Sequence, residues 1–248
     1  MAYIRVNTAM IMHQHTPTEP DEIREALHRR MLSSVSHDLK TPLATIIGSL
    51  EVYQRMREKL TPEKRESLIN SALSEAYRLD SFITNILDMA KLEAGLVIPR
   101  AEWCNVDYLL SDCITRLGPK RAQCDISVNA VGAPKRSFTD PMLLARAVSL
   151  VLDNAVKYGG KTPIRMEYGN EDRVSFIRVR DHGNGIPDGK EEDIFSKYTR
   201  FNHADYQNAG TGLGLPACRS LMQLLGGEVC GDNHPDGGAV FTLSYPQE

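Results

Sequence analysis

Two long segments of three- and four-residue apolar spacing fill the first half of the chain and restrict what it can fold into. The second segment carries Leu68, Ile69, Ala72, Leu73, Ala76, Leu79, Ile83, Ile86, Leu87 and Ala90, which keeps one helical face apolar for roughly six turns. In the first, over about 21–59, the residues Val35, Leu39, Leu43, Ile46, Ile47, Leu50 and Tyr53 fall within a sector of roughly 120° when drawn at about 100° per residue. Between the segments, Thr61-Pro62-Glu63 reads as a turn and a new start, with Thr61 as N-cap and Pro62 at the first helical position. Gly95 is placed to cap the second helix. A lone two-helix hairpin cannot bury both stripes, whereas two copies can, as a four-helix bundle. The expectation is a homodimer through residues of about 25–95. The alternative is a hairpin packed on the second half of its own chain.

Off the stripe of the first segment lies Ser36-His37-Asp38-Leu39-Lys40-Thr41-Pro42-Leu43. His37 falls about 140° from the centre of the apolar sector and Thr41 about 180°, so the two are neighbours on the polar face with Asp38 beside them. A histidine displayed in this way can react with a partner. Pro42 donates no hydrogen bond, leaves the Asp38 carbonyl without its usual partner and should kink the helix. Taken without the rest of the chain, the eight residues fit a merely solvated histidine equally well.

Totals narrow the classes. Among 248 residues, 42% are hydrophobic and 25% charged, as in a soluble globular protein of one large or two ordinary domains. A net charge of −3 gives no sign of a general nucleic-acid binder. The 5 cysteines are odd in number and lack CxxC spacing, which fits reduced thiols in a cytosolic compartment and argues against a zinc site. No segment approaches the ~20 apolar residues of a membrane span, and no charged-then-apolar leader is present. Residues 1–24 read as a linker or tail.

After Pro99 the pattern changes. Short β-rich or alternating stretches at 126–128, 164–168, 174–179 and 239–243 are separated by helical stretches at about 141–157 and 215–225. Asp140-Pro141 makes a helix start. The economical arrangement is helices on one side of a mixed sheet. The whole chain is thus expected to have an α + α/β fold, with a domain at 25–98 followed by an α/β sandwich at 99–248.

Three stretches of this half could hold a nucleotide. Asp181-His182-Gly183-Asn184-Gly185-Ile186-Pro187 follows a strand, and its glycines let the backbone turn beside a bound group. An ionised Asp181 accepts hydrogen bonds and donates none, which favours the amine of adenine over the carbonyl of guanine. Gly210-Thr211-Gly212-Leu213-Gly214-Leu215-Pro216 opens a helix, where backbone N–H groups and the helix dipole suit phosphate. It is not a P-loop, since no GK[ST] follows. Asn154 shares a helix flank with Arg146, Leu150 and Lys157, opposite Leu144, Val148, Val151 and Ala155. Its amide oxygen is a hard ligand suited to Mg²⁺, and Lys157 can offset phosphate charge. Each stretch also has a bland reading: a surface turn, a tight structural loop, and a helix capped by Gly159-Gly160.

Together and in this order, the motifs resemble the catalytic core of a sensor histidine kinase of a two-component system, over residues of roughly 25–246. Ser36 to Leu43 resembles the phospho-acceptor motif, in a form similar to that of potassium-responsive sensor kinases. Asp153-Asn154-Ala155-Val156-Lys157-Tyr158 resembles the asparagine motif, and Asp181 to Pro187 the first glycine motif. Ile194-Phe195-Ser196-Lys197-Tyr198-Thr199-Arg200-Phe201 resembles the phenylalanine motif. Gly210, Thr211, Gly212, Leu213, Gly214 and Leu215 resemble the second glycine motif, and Gly237 to Leu243 the closing strand.

The resemblance implies a dimerisation and phosphotransfer hairpin followed by an ATP-binding domain of the kind shared with gyrase and Hsp90. His37 would be the phospho-acceptor, Asp38 its proton acceptor, and Thr41 a positioner of water for dephosphorylating the partner. Asn154 would hold Mg²⁺. ATP would lie against Asn154, Lys157, Tyr158, Asp181, Gly183, Gly185, Ile186 and the second glycine motif, under a lid at about 196–210. The partner implied is the receiver domain of a response regulator. Two departures stand out: Leu150 replaces an asparagine common one turn before Asn154, and Leu225 replaces a histidine common before Gly226-Gly227. Leu150 is the best support for another class, a catalytically weak nucleotide-binding scaffold. A gyrase- or Hsp90-like mechanical ATPase needs neither the displayed histidine nor its hairpin.

Overall fold

The computed structural model describes residues 19–118, 124–132, 136–160, 162–171, 173–197, 199 and 212–247, with side chains at 35, 36 and from 38 onward. The chain divides by compactness into two units, Met1–Leu79 and Asp80–Glu248. No helix among the described residues is long and apolar enough to cross a membrane.

The first unit holds α1 (Glu19–Met56) and the start of α2 (Pro62–Glu93). α1 is assigned as helix through Pro42, which is buried. At its end the N–H groups of Lys59 and Leu60 both reach the Met56 carbonyl. Thr61 then caps α2, its Oγ1 accepting the Lys64 N–H at 3.4 Å, and Arg65 Nε donates to the Leu60 carbonyl at 3.1 Å. The apolar stripes are only partly covered within this unit: Leu39, Ile46 and Leu68 are half-buried and Ala72 is buried. Leu43, Ile47 and Leu50 on α1 and Ile69 and Leu73 on α2 are each 38–49% exposed.

α2 ends as Gly95 predicts. Gly95 adopts φ +63°, its N–H bonds to the Leu92 carbonyl, and the Leu96 N–H reaches back to Lys91. This paired closure satisfies carbonyls that a helix end leaves open.

The second unit begins within α2. Met89 is buried in the main apolar cluster, with Leu92 packed against it. Arg146 donates to Asp88 at 2.8 Å and to Asn85 at 2.7 Å. These contacts place the compact division ahead of the boundary at 98/99 expected from composition.

The rest of the unit runs β1 (Glu102–Asn105), α3 (Val106–Arg116), β2 (Ile126–Val131), β3 (Arg136–Thr139), α4 (Pro141–Tyr158), β4 (Ile164–Glu171), β5 (Val174–Arg180), a 3₁₀ turn (Asp193–Phe195), α5 (Gly214–Leu224), β6 (Glu228–Asn233) and β7 (Ala239–Pro246). β1 and β3 form a two-stranded antiparallel ribbon. The other strands form a sheet in the order β2-β4-β5-β7-β6, parallel at β2–β4 and antiparallel elsewhere. Strand alternation sorts its faces. Ile164, Met166, Ile177, Val179, Phe241 and Leu243 are buried in one cluster with residues of α3, α4 and α5, whereas Arg165, Glu167, Arg178 and Thr242 occupy the more open face.

Asp140 starts α4. Its Oδ1 accepts the N–H groups of Met142 and Leu143, each at 3.0 Å, and its Oδ2 that of Arg100 at 2.7 Å. Pro141 follows at the first helical turn, where its missing N–H costs nothing. Leu144, Val148, Val151 and Ala155 are fully buried, as their spacing predicts. The strands and the two helices read from sequence are all present, and β1, α3, β3 and β6 are additions to that reading.

Thiol chemistry reports on this packing. All 5 cysteines are free. Complete burial in α5 pushes the Cys218 thiol up to about 12, while Cys230 on β6 is exposed. Maleimide labelling of the folded chain at about pH 8 should therefore reach Cys230 first, and Cys218 only on denaturation. Modification of Cys218 before unfolding would contradict the packing of α5 on α4.

Candidate active site

The candidate residues fall in both units. His37, Asp38 and Thr41 lie on α1 in the first. Asp38 is half-buried and Thr41 exposed, with Ser36 and Lys40 exposed beside them. The Thr41 carbonyl accepts the Thr45 hydroxyl at 3.2 Å. The expected display of the His37 ring falls outside the described side chains.

In the second unit, α4 runs between two glycine loops. One turn of α4 separates Leu150 from Asn154, and one more separates Asn154 from Tyr158, so the three share a face. At one end a Cβ on Gly214 would meet Leu150 Cδ2 at 3.9 Å. At the other a Cβ on Gly183 would meet the Tyr158 carbonyl oxygen at 2.2 Å. Only a glycine allows that approach. Asn154 is therefore flanked by the loop at 181–187 and by the start of α5. It is half-buried, and its carboxamide forms no side-chain hydrogen bond among the described residues. Lys157 Nζ lies 3.2 Å from the Tyr158 hydroxyl and 4.6 Å from its ring centroid, and Tyr158 is exposed.

Leu150 departs from the simple flank read in the sequence. It is 5% exposed, enclosed rather than facing solvent. Arg146, on the same flank, is committed to Asn85 and Asp88. Asn154, Lys157 and Tyr158 supply polar groups on the part of α4 near the glycine loops.

Asp181 is 2% exposed and anchors the first glycine motif. Its Oδ1 accepts the Gly183 N–H at 2.9 Å and the Ala239 N–H at 3.2 Å. Among the described residues nothing donates to its Oδ2, which leaves that oxygen as an acceptor for a bound base. His182 turns away from it, donating from Nδ1 to the Pro163 carbonyl at 2.8 Å, since a carbonyl can only accept. Gly185 takes φ +74°, and Ile186 is buried.

Of the second glycine motif, Gly212 has φ +66°, Leu213 is buried and Gly214 begins α5. Gly210 and Thr211 lie outside the described residues, as do 198 and 200–210 of the expected lid. Phe195 of the phenylalanine motif is buried, edge-on to Phe241 and covered by Arg219 at 4.1 Å.

Sequence reasoning overlooked Asn233, which bonds twice to the backbone of Ile186. It sits among His234, Pro235, Asp236, Gly237 and Gly238, where an asparagine reads as a turn residue. The sequence offered no other signal.

Two family models match. Residues 27–95 fit the His Kinase A (phospho-acceptor) domain, and residues 139–248 fit the histidine kinase-, DNA gyrase B- and HSP90-like ATPase. Sensor protein KdpD of Escherichia coli is 31% identical over 228 residues, which are 91% of this chain and 25% of KdpD. Signal transduction histidine-protein kinase AfsQ2 of Streptomyces coelicolor is 30% identical over 91% of this chain and 43% of its own length. The chain thus spans less than half of either relative. Histidine kinase ThkA, solved in complex with response regulator protein TrrA, superposes with TM-score 0.68 at 22% identity, covering 92% of this chain and 64% of ThkA. That likeness is one of fold.

Asp181→Asn tests whether Asp181 Oδ2 reads a bound base. The variant retains an oxygen for Gly183 and Ala239 but turns a donor toward the base. Affinity for a non-hydrolysable ATP analogue should fall by at least about tenfold with the fold intact. Equilibrium binding checks this, and an unchanged affinity would mean that adenine is read elsewhere.

Proposed function

We propose that this chain, which belongs to the sensor histidine kinases of two-component systems and carries their catalytic core, phosphorylates His37 from ATP and passes the phosphoryl group to an aspartate of a response regulator. The observation that carries the proposal is the place of Asn154 on α4, midway between Leu150, which lies beside Gly214, and Tyr158, which lies beside Gly183. A polar ligand held between a phosphate-type loop and a base-type loop fits a nucleotide lying along the helix.

The chemistry follows from residue types. A neutral imidazole, with an ordinary pKa of about 6.5, is nucleophilic near neutral pH. One ring nitrogen of His37 attacks the γ-phosphorus, a P–N bond forms, and the bond to the β-phosphate oxygen breaks to release ADP. Asp38 accepts the proton of the other ring nitrogen and fixes the ring. Asn154 suits Mg²⁺ because its amide oxygen is a hard ligand to which no donor among the described residues is bound. When bound, Mg²⁺ offsets charge on the phosphoryl group. Lys157 adds positive charge on the same helix face. Exposed Thr41, on the helix that carries His37, positions water when the chain dephosphorylates its regulator.

Dimerisation follows from the uncovered part of the stripes. Leu43, Ile47 and Leu50 keep four- and three-residue spacing on α1, and on α2 Ile69 and Leu73 recur two heptads later as Ile83 and Leu87, all exposed. A second copy of the hairpin supplies the matching stripe.

Incubation with Mg²⁺ and γ-labelled ATP tests the kinase. The chain should acquire acid-labile, alkali-stable label that is absent in His37→Gln. Asp38→Asn should lower labelling far more than ATP binding, and Thr41→Ala should lower dephosphorylation of the regulator. A chain that binds ATP but takes no label would instead be a nucleotide-binding scaffold. For the dimer, light scattering of Ile47→Glu combined with Leu73→Glu should report a monomer, and a persisting dimer would place the interface elsewhere.

A further inference from the structure

The loop from Asp181 to Ile186 is pinned at both ends by one cross-strand pair. Asn233, the last residue of β6, stands opposite Ala239, the first of β7. Ala239 holds the start of the loop, its N–H donating to Asp181 Oδ1 at 3.2 Å and its carbonyl accepting the Asp181 N–H at 3.0 Å. Asn233 holds the end. Its Oδ1 accepts the Ile186 N–H at 2.7 Å, and its Nδ2 donates to the Ile186 carbonyl at 2.7 Å. The carboxamide thus pairs with a backbone unit as a neighbouring strand would. It also packs flush on Gly185, where an added Cβ would lie 2.4 Å from Oδ1.

We propose that Asn233 is a positioning residue of the nucleotide site, holding the Gly183–Ile186 backbone in the conformation that receives the base. The inference rests on the reading of this site as the ATP site. The loop carries two glycines, one at φ +74°, and glycine backbone loses more freedom on ordering than any other. Without the clamp that ordering falls on the binding step and weakens it. The clamp lies at the base-reading loop, so ATP and ADP are affected alike and the transfer step at saturating ATP is not. An aspartate would keep the acceptor but set a carboxylate against the Ile186 carbonyl. A serine is too short to pair with both groups.

The test measures ATP and ADP binding, thermal unfolding and label transfer at saturating ATP in the full chain and in Asn233→Ala, Asn233→Ser and Asn233→Asp. Losing two hydrogen bonds should raise both dissociation constants roughly tenfold in Asn233→Ala. Asn233→Asp should lose at least as much despite its matching shape, and Asn233→Ser less. Label transfer at saturation and the folded fraction should stay near those of the parent chain. Unchanged affinities would overturn the proposal. So would losses that merely track unfolding, or that strike ATP and spare ADP. If the parent chain itself binds no ATP, the reading of the site fails instead.

Discussion

A carboxylate cannot be buried without donors, and the nucleotide-site geometry depends on how Asp181 meets that demand. Both donors to its Oδ1 are backbone N–H groups, from Gly183 two residues on and from Ala239 on another strand. One oxygen therefore joins the loop after β5 to the start of β7. The fit leaves room for nothing larger than hydrogen at three neighbouring places. A Cβ on Gly183 would strike the end of α4, one on Gly238 would meet the Asp181 carbonyl at 2.1 Å, and one on Gly159 would come within 3.0 Å of Asp181 Cβ. The glycines are the condition for bringing α4, β5 and β7 to one point, and the site forms where they meet.

The hairpin obeys a different constraint. One side of its α1 stripe, with Leu39 and Ile46, is half-buried beside buried Pro42 and Ser49, while the side with Leu43, Ile47 and Leu50 stays open, so a single chain covers only part of the apolar face. Exposed leucines and isoleucines in heptad phase are stable in water only when another surface covers them. Thr41 lies on the other side of α1 from Leu43, Ile47 and Leu50 and is itself exposed to solvent. The proposed dimer stripe and the proposed phospho-acceptor motif thus fall on opposite faces of one helix.

Legibility in the sequence followed the range of the forces. Helices α1, α2 and α4 were readable because their caps and apolar spacing are local: Thr61 and Asp140 accept N–H groups within three residues, and Gly95 closes on Leu92. β3 and β6 were not, since a four-residue strand such as Arg136–Thr139 is defined by pairing with β1 rather than by its own pattern. The short α3 is fixed by Asn105 capping Tyr108 at 3.1 Å and by burial of Leu109, Leu110 and Cys113. Its span is too brief for periodicity to stand out. The tight turn at Asp181, Gly183 and Gly185 was readable because its close backbone approaches force the residue type. Asn233 was not, because its partner Ile186 is 47 residues away.

Leu150 shows how a departure from a motif can be absorbed. A polar residue there would face Gly214 at the start of α5 and compete for phosphate or metal. Leucine instead packs against α5, which shares α4's apolar cluster through Ala217, Leu221 and Met222. A leucine at this place exchanges a possible ligand for an apolar contact beside Gly214 at the N-terminus of α5. Phosphate binding at such a helix start depends on the direction of its N–H groups as much as on added ligands. With Leu150 enclosed, Asn154 is the carboxamide on that face, so the proposed phosphate contacts rest on Asn154 and the N–H groups at the start of α5.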